Sequence, residues 1–290
     1  MIGYRPYLLC VALVFCSLPL LASDIKDGFF QTSDGIHLHY LESGSGSAII
    51  FIPGWTMPAS IWKPQLEGLS NKYHVIALDP RSQGDSEKTS EGNYSERRAT
   101  DIKELIEHVH AAPAVLVGWS LGVRDELIFV KLFGTSSVNG LVLVDGMVWT
   151  DPDPKGYEGR AEFLHNVQAE RVAFTDKFVR SMYHKPQPET YLKEIVAESL
   201  KTPTATAVAM LAEMYLWNDL RPALANLQIP LLIIVRTDHR DQAELVHSIL
   251  PKAETDVFED AGHALFVDDA ARFNREVSDF EQHLLGPRNQ

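Results

Sequence analysis

Short apolar runs rich in β-branched residues alternate with amphipathic segments along most of this chain. Such runs are typical of buried strands, and the amphipathic segments between them are typical of crossover helices. The pattern predicts an α/β fold with a mostly parallel sheet. The predicted strands are IHLHYLE, AIIFIPG, HVIALD, AVLVGW, GLVLVD, PLLIIV and TDVFED. The predicted helices are Ala59–Asn71, Ser95–His110, Leu121–Phe133, Gln242–Leu250 and Asp268–Leu285.

One long stretch, from Gly146 to about Pro222, interrupts this alternation because it contains helical patterns and no strong strand signal. It opens with the turn cluster DPDPKGYEG. The apolar residues of VAMLAEMYL are spaced as one face of a helix, and they are Val208, Leu211, Ala212, Tyr215 and Leu216. The sequence therefore predicts a helical cap at 146–222, inserted into one core domain formed by 23–145 and 223–290.

The first 22 residues have the pattern of a secretory signal peptide. Arg5 supplies a short basic region, YLLCVALVFC is a compact apolar region, and SLPLLAS contains small residues suited to cleavage. The apolar stretch from Tyr7 to Ala22 is shorter than the roughly 20 residues that cross a bilayer. We therefore expect export to the periplasm or the medium after cleavage, without stable insertion in the membrane. An uncleaved anchor is the alternative.

Composition excludes several classes of function. Both cysteines, Cys10 and Cys16, lie in the predicted signal peptide, so the mature chain has no thiol for a disulfide, a nucleophile or a zinc site. The formal net charge is −13, and no basic stripe is available to bind a phosphate backbone, which argues against a nucleic-acid partner. No metal or cofactor motif stands out.

The segment AVLVGWSLG runs from a predicted strand into a sharp turn at Ser120 and then into an amphipathic helix. A serine on such a turn has a strained backbone, and the glycines two residues before and after it leave room for close packing. The turn exposes the hydroxyl at the end of the strand. It also directs the Leu121 N–H, at a helix N-terminus, toward the place where an oxyanion would form. Ser120 is therefore the predicted nucleophile, and Leu121 a predicted oxyanion donor.

Four motifs together resemble those of the α/β-hydrolase family, and the resemblance covers nearly all of residues 27–285. GWSLG resembles the nucleophile elbow of that family. FIPGW resembles the loop after the third strand, whose following N–H, here that of Trp55, is the second oxyanion donor. LDPRSQGDSE resembles the D-x-R-G-x-G-x-S turn, although Ser82 stands where glycine is usual. EDAGHALF resembles the loop that bears the base, here His263. The resemblance implies an eight-stranded, mostly parallel sheet with helices on both faces and an inserted cap.

The base must lie within reach of the serine, because a hydroxyl becomes nucleophilic only beside a group that removes its proton. Histidine titrates in the useful range. His263 follows a predicted buried strand and a glycine that can turn the loop back toward Ser120. The other histidines of the mature chain are poorly placed on this pattern, so His263 is the predicted base.

The third member of the triad, the acid, has two candidates. In much of the family it lies in a G-x-x-D turn after the penultimate strand, but here PLLIIV is followed by RTDH. His239 thus occupies the position of the acid, and Asp238 lies one residue before it. Asp145 ends the strand next to that of the nucleophile, in a register that resembles that of the haloalkane dehalogenases of this family. We favour Asp145 and keep Asp238 as the alternative.

A serine nucleophile excludes the carboxylate-nucleophile route of dehalogenases and epoxide hydrolases. The resemblance then implies hydrolysis of a small or medium carboxylic ester, or of a thioester, a lactone or a C–C bond, through an acyl-serine. A cofactor-free perhydrolase of the haloperoxidase type, using the same triad, is an alternative, and an inactive binding protein of this fold is another. The residues beside the motifs that could line an apolar acyl pocket are Met57, Trp119, Trp149 and Phe266.

Overall fold

The computed structural model describes residues 24–149, 154–216 and 219–285. The predicted signal peptide, with both cysteines, lies outside the described residues. Within the described ranges, no helix is long and apolar enough to cross a membrane.

A single twisted sheet of eight strands forms the centre of the fold. The strands are β1 (Lys26–Gln31), β2 (His37–Gly44), β3 (Ala48–Ile52), β4 (His74–Leu78), β5 (Ala114–Trp119), β6 (Val138–Val144), β7 (Leu231–Arg236) and β8 (Glu254–Phe258). Their spatial order is β1-β2-β4-β3-β5-β6-β7-β8. β2 runs antiparallel to both neighbours, and the strands from β3 to β8 are parallel. All the predicted strands are present, and β1 adds an antiparallel edge that no sequence pattern had indicated.

Helices cover both faces of the sheet and form the segment between β6 and β7. They are α1 (Lys63–Leu69), α2 (Ser95–His108), α3 (Leu121–Phe133), α4 (Pro154–Ala169), α5 (Arg171–Ser181), α6 (Glu189–Leu200), α7 (Thr204–Leu216), α8 (Arg221–Ala225), α9 (Arg240–Ile249), α10 (Leu265–Asp268) and α11 (Ala270–Leu285). The helix predicted from Ala59 instead begins as a 3-10 turn, Ala59–Trp62, and α1 starts with Pro64 in its first turn, where proline's missing N–H is tolerated. The helix predicted from Asp268 is divided at Asp269, whose backbone is not helical.

Two apolar layers hold the helices on the sheet. One layer packs α2, α3, α8 and α9 against side chains such as Ile50, Leu116 and Leu143, and the other packs α1 and α11 against Phe51 and Val117. Alternate residues of a strand point to opposite faces, so a strand covered on both sides reads as a continuous apolar run. Burying each such side chain contributes about 1.5–3 kcal/mol, which makes the sheet a rigid platform for the loops at its strand ends.

Between β6 and β7, the described residues form α4 to α7 at the carboxyl ends of the strands, followed by α8, which packs against the sheet. Helix α7 contacts the core through Ala207, Met210 and Leu211, which are buried. The predicted apolar face of this helix was wrong in part, because Leu211 is buried but Leu216 is exposed. The segment TATAVAMLAEMYL is apolar almost all round, so periodicity alone does not select which face packs against the core.

Candidate active site

The turn at Ser120 joins the end of β5 directly to α3. Ser120 has φ 56° and ψ −112°, a conformation that costs a non-glycine residue about 1–3 kcal/mol. Its N–H donates to the carbonyl oxygen of Val144, 2.9 Å away, which ties the turn to the end of β6. A Cβ atom on Gly118 would collide with the Gly122 carbonyl oxygen, and one on Gly122 would collide with the Ile52 carbonyl oxygen, so packing requires both glycines of GWSLG. The strain is therefore built into the junction that presents the hydroxyl.

The loop after β3 lies against the nucleophile turn. A Cβ atom on Gly54 would come within 2.9 Å of the Ser120 Cβ, which shows how closely the two segments pack. The next residue, Trp55, is the predicted oxyanion donor, and Leu121 is the first residue of α3. The two backbone N–H groups thus belong to segments in contact at Ser120, as an oxyanion hole requires.

A buried glutamine, Gln83, holds the predicted oxyanion loop, residues 54–57, in place. Its Oε1 accepts the Thr56 N–H at 2.9 Å, and its Nε2 donates to the carbonyls of Gly54 at 3.2 Å and Met57 at 3.0 Å. Sequence reasoning missed Gln83, although it lies in the LDPRSQGDSE motif. The preceding residue, Ser82, adopts φ 65°, the left-handed region that explains why glycine is usual there.

The cap holds the same loop from the other side. The indole Nε1 of Trp55 donates to the Ala207 carbonyl at 2.8 Å, and the hydroxyls of Thr56 and Ser199 lie 2.7 Å apart. The guanidinium of Arg171 lies 5.3 Å from the centre of the Trp55 ring. Buried hydrogen bonds of this kind are costly to break without replacement. The oxyanion loop is therefore fixed by the cap as well as by the core.

The acid–base pair lies at the carboxyl edge of the sheet. His263 Nδ1 is 2.7 Å from Asp145 Oδ2, and Asp145 follows β6 with a buried side chain and φ 43°. The carbonyl oxygen of His263 accepts a hydrogen bond from the Trp119 indole at 2.8 Å. This bond ties the His263 loop to the residue immediately before Ser120. The structure thus brings together the three segments that carry the predicted triad.

The electrostatics of Asp145 favour its ionised form. Its Oδ1 accepts the Arg236 N–H at 3.0 Å and lies 3.0 Å from His239 Nδ1, while Arg236 Nε lies 3.5 Å from Oδ2. Burial raises the pKa of the Asp145 carboxyl, but its contacts with His239 and His263 outweigh burial and lower that pKa well below the usual range. An ionised carboxylate only accepts, so His263 carries its proton on Nδ1 and leaves Nε2 free as a base.

The alternative acid, Asp238, is placed differently. It lies on a 3-10 turn, Thr237–His239, with 79% of its side chain exposed. Its carboxylate is 4.0 Å from Arg236 Nε, whereas the buried Asp145 holds His263. The geometry therefore favours Asp145 over Asp238 as the partner of His263.

The four residues predicted to line a pocket have different surroundings. Met57, Trp119 and Phe266 are buried. The Phe266 ring stacks on that of Trp62 with centres 3.9 Å apart, which makes it part of the aromatic packing beneath α11. Trp149 is half-buried at the start of the segment that leads into the cap.

Apolar contacts between cap and core occur at Trp55 and Leu121, the residues predicted to donate to an oxyanion. The side chains of Trp55 and Leu121 are buried in one cluster with cap side chains, namely Val167, Ala207, Met210 and Leu211. The sequence motifs identify the backbone N–H groups of Trp55 and Leu121 but not these contacts. The cap therefore covers the predicted oxyanion site with apolar groups.

One further group of ligand-type side chains lies outside this site, at His39, Asp79 and Asp85. The Asp79 carboxylate accepts hydrogen bonds from the His39 ring and from the Asp85 and Ala59 N–H groups. Asp85 is paired with Lys201 at 2.6 Å. A cation would have to displace these partners, so the group is explained by its structural role in the turn after β4.

The sequence profile of the alpha/beta hydrolase family matches residues 49–276. The chain belongs to this family. It is 25% identical over 271 residues to the non-heme chloroperoxidase CPO-A1 of Kitasatospora aureofaciens, covering 86% of this chain and 97% of that one. It is 25% identical over 263 residues to a pimeloyl-[acyl-carrier protein] methyl ester esterase of Aliivibrio salmonicida, covering 84% and 96%.

Solved structures show the same fold. An esterase of Exiguobacterium antarcticum superposes with a TM-score of 0.79 at 22% identity, covering 87% of this chain and 98% of that one. Esterases and non-heme haloperoxidases are thus among the relatives of this protein, which is an enzyme of the alpha/beta hydrolase family.

Proposed function

We propose that this protein is a serine hydrolase that cleaves a small or medium carboxylic ester through an acyl-serine intermediate. The observation that carries this proposal is the contact of 2.7 Å between His263 Nδ1 and the buried Asp145, next to a strained serine turn. An imidazole held in this tautomer by an ionised carboxylate is the base that a serine hydroxyl needs.

The first half of the reaction forms the acyl-enzyme. Ser120 Oγ attacks the ester carbonyl carbon while His263 Nε2 takes the hydroxyl proton, and Asp145 stabilises the resulting imidazolium. The Trp55 and Leu121 N–H groups donate to the oxyanion of the tetrahedral intermediate. The intermediate collapses as the C–O bond to the alcohol breaks, and His263 returns the proton to the departing alcohol.

The second half releases the acid. A water molecule gives a proton to His263 Nε2 and attacks the acyl carbonyl, and the same two N–H groups hold the second oxyanion. Collapse breaks the bond to Ser120 Oγ, which recovers its proton from His263. The free carboxylic acid then leaves and the enzyme is restored.

The surroundings of the oxyanion site favour an uncharged, apolar acyl group. The side chains of Trp55 and Leu121 lie in an apolar cluster under the cap, which lowers the local dielectric constant and strengthens hydrogen bonds to a developing oxyanion. Thioesters and lactones present the same carbonyl chemistry. A panel of p-nitrophenyl esters of graded chain length, with thioesters and lactones beside it, identifies the preferred class.

Labelling by a fluorophosphonate probe tests the mechanism. We expect the wild-type protein and the matched control Ser248→Ala, which changes an exposed serine of α9, to react with the probe. Ser120→Ala should not react and should not hydrolyse p-nitrophenyl acetate. Failure of the wild type to react beside a reactive control esterase, or equal labelling of Ser120→Ala, would refute the proposal.

A second activity is favoured by the similarity to the non-heme chloroperoxidase CPO-A1. If hydrogen peroxide replaces water as the acceptor of the acyl group, the product is a peracid, which oxidises bromide. The test is bromination of a dye in acetate buffer with peroxide, measured beside ester hydrolysis for the wild type and Ser120→Ala. Bromination that depends on Ser120 supports perhydrolysis, and its absence beside active ester hydrolysis rejects it.

A further inference from the structure

His239 occupies the position after the penultimate strand where much of the family has its acid, and the fold places it beside the predicted triad. His239 follows β7, and its Nδ1 lies 3.0 Å from Asp145 Oδ1. The rings of His239 and His263 are 6.4 Å apart and inclined at 76°. The carboxylate of Asp145 therefore lies between two imidazoles, with His263 on Oδ2 and His239 on Oδ1.

The neighbours of His239 determine where its proton lies. Its Nε2 is 3.4 Å from Arg236 Nη2, at the long end of hydrogen-bond distances. A guanidinium only donates, so Nε2 must be the acceptor in this contact. The single proton of a neutral imidazole is then on Nδ1, facing a carboxylate that only accepts. Arg236 thus places the proton of His239 on the nitrogen that lies 3.0 Å from Asp145 Oδ1, in a close contact whose N–H is not aligned as in a regular hydrogen bond.

The charged and titratable groups around His239 come from three elements. They are Asp145 at the end of β6, Arg236 on β7 with the exposed Asp238 beside it, and His263 in the loop after β8. Only Asp145 offers an acceptor to Nδ1 among these described groups. The contacts at Oδ1 and Oδ2 together fix the orientation of the Asp145 side chain.

We propose that His239 is a positioning residue of the triad, which holds Oδ1 of Asp145 and thereby keeps Oδ2 on His263. The inference rests on the proposed serine hydrolase function. Without His239, Oδ1 retains the Arg236 N–H, and the carboxylate gains freedom to rotate away from His263. Outer partners of this kind orient a reactive group without touching the substrate.

Two variants of His239 separate its polar contact with Asp145 from its volume. His239→Leu fills a similar space without a donor, whereas His239→Asn retains an N–H close to the position of Nδ1. We expect His239→Leu to lower kcat by roughly tenfold to a hundredfold, as removal of outer hydrogen-bond partners does elsewhere, with KM little changed. His239→Asn should recover most of that loss.

The pH profile of kcat/KM distinguishes a positioning role from a merely structural one, because loss of a structural role would leave the profile unchanged. A carboxylate that rotates away from His263 stabilises the imidazolium less. The acid limb of the profile should therefore move to lower pH in His239→Leu and lie near its wild-type position in His239→Asn. Thermal unfolding verifies that each variant is folded, and His239→Ala replaces His239→Leu if the latter is not.

Equal losses in the leucine and asparagine variants, or a lower Tm with kcat and the acid limb unchanged, would overturn the role of His239. Fluorophosphonate labelling distinguishes this failure from failure of the proposed function. If the wild type and folded His239→Leu label at the same rate, the His239 proposal alone fails. If the wild type does not label, the serine hydrolase itself is refuted.

Discussion

Replacing Asp145 with asparagine tests the arrangement of the acid most directly. The two oxygens of Asp145 face different sets of close donors. Oδ1 lies 3.0 Å from both the Arg236 backbone nitrogen and His239 Nδ1, whereas Oδ2 lies 2.7 Å from His263 and farther, 3.5 Å, from Arg236 Nε. An asparagine has one acceptor oxygen, and it satisfies more donors on the Oδ1 side. Its amide N–H₂ then turns toward His263 and forces the imidazole proton onto Nε2.

This change of tautomer removes the base. A His263 with its proton on Nε2 cannot accept the proton of Ser120, although the positions of the side chains hardly change. The corresponding substitution in the Ser-His-Asp template lowers kcat by about 10⁴, which corresponds to about 5.5 kcal/mol in transition-state stabilisation. Because the donors of Arg236 and His239 enforce the amide orientation, we expect Asp145→Asn to reach this magnitude.

The assay is kcat and kcat/KM for p-nitrophenyl acetate, with thermal unfolding to verify the fold. The matched control is Asp238→Asn, which changes an exposed carboxylate two residues beyond β7 and should retain activity within about twofold. Activity of Asp145→Asn within tenfold of the wild type would refute this reasoning. A large loss in Asp238→Asn without one in Asp145→Asn would transfer the role of the acid to Asp238.

Three other predictions concern the surroundings of the site and the core. Gly54→Ala places a methyl group 2.9 Å from the Ser120 Cβ, so we expect a folded protein with kcat lowered by about a hundredfold. A kcat near that of the wild type would contradict the close packing of these two segments. Ser199→Ala removes the hydroxyl partner of Thr56 and should lower kcat several-fold, for a net loss of about 1 kcal/mol; an unchanged kcat would show that the cap does not hold the oxyanion loop. Glu281→Gln should stabilise the protein by about 2 kcal/mol at pH 7, because burial raises the pKa of Glu281 from 4.5 to about 6 and the bond from Ser47 only partly lowers it. Below pH 4.5 the proton is bound in both the folded and unfolded states, so the gain in the free energy of unfolding by urea should disappear there, and an equal gain at pH 4 and pH 7 would exclude this cause.

Local patterns were sufficient for much of the fold. Helix α3 has the predicted bounds, Leu121–Phe133, because a strand precedes it and Gly134, with φ 69°, follows it. The strands β3 to β7 were recognisable because strands covered on both faces are continuously apolar. The strand β1, KDGFFQ, lies at the sheet edge with mostly exposed residues, and its sequence therefore carries no such signal.

The residues of the candidate site likewise include some that local sequence patterns predicted and others that they did not. Ser120 and His263 stand in motifs whose turns require particular residues, and the resemblance of the β6 register to that of haloalkane dehalogenases indicated Asp145. Gln83, Ser199 and Ala207 act through contacts with the oxyanion loop, and the two cap residues lie more than a hundred positions from it in the chain. No periodicity or spacing records such tertiary contacts. In the sequence, His239 is evident only as a histidine at the position where much of the family has its acid. Its proximity to Asp145 depends on how β6 and β7 pair.

The cap joins the core between two neighbouring strands, which has a consequence for making chimeras of this enzyme. Asp145 immediately precedes the cap. Arg236 and His239, which contact it, lie at the end of the first strand after the cap and just beyond it. A foreign cap exchanged between these points would leave the surroundings of the acid unchanged. It would remove the Ala207 carbonyl and the Ser199 hydroxyl that hold Trp55 and Thr56. A foreign cap must therefore supply its own acceptor for the Trp55 indole. Without one, the oxyanion hole of the chimera would be misaligned, whatever the specificity of the new cap.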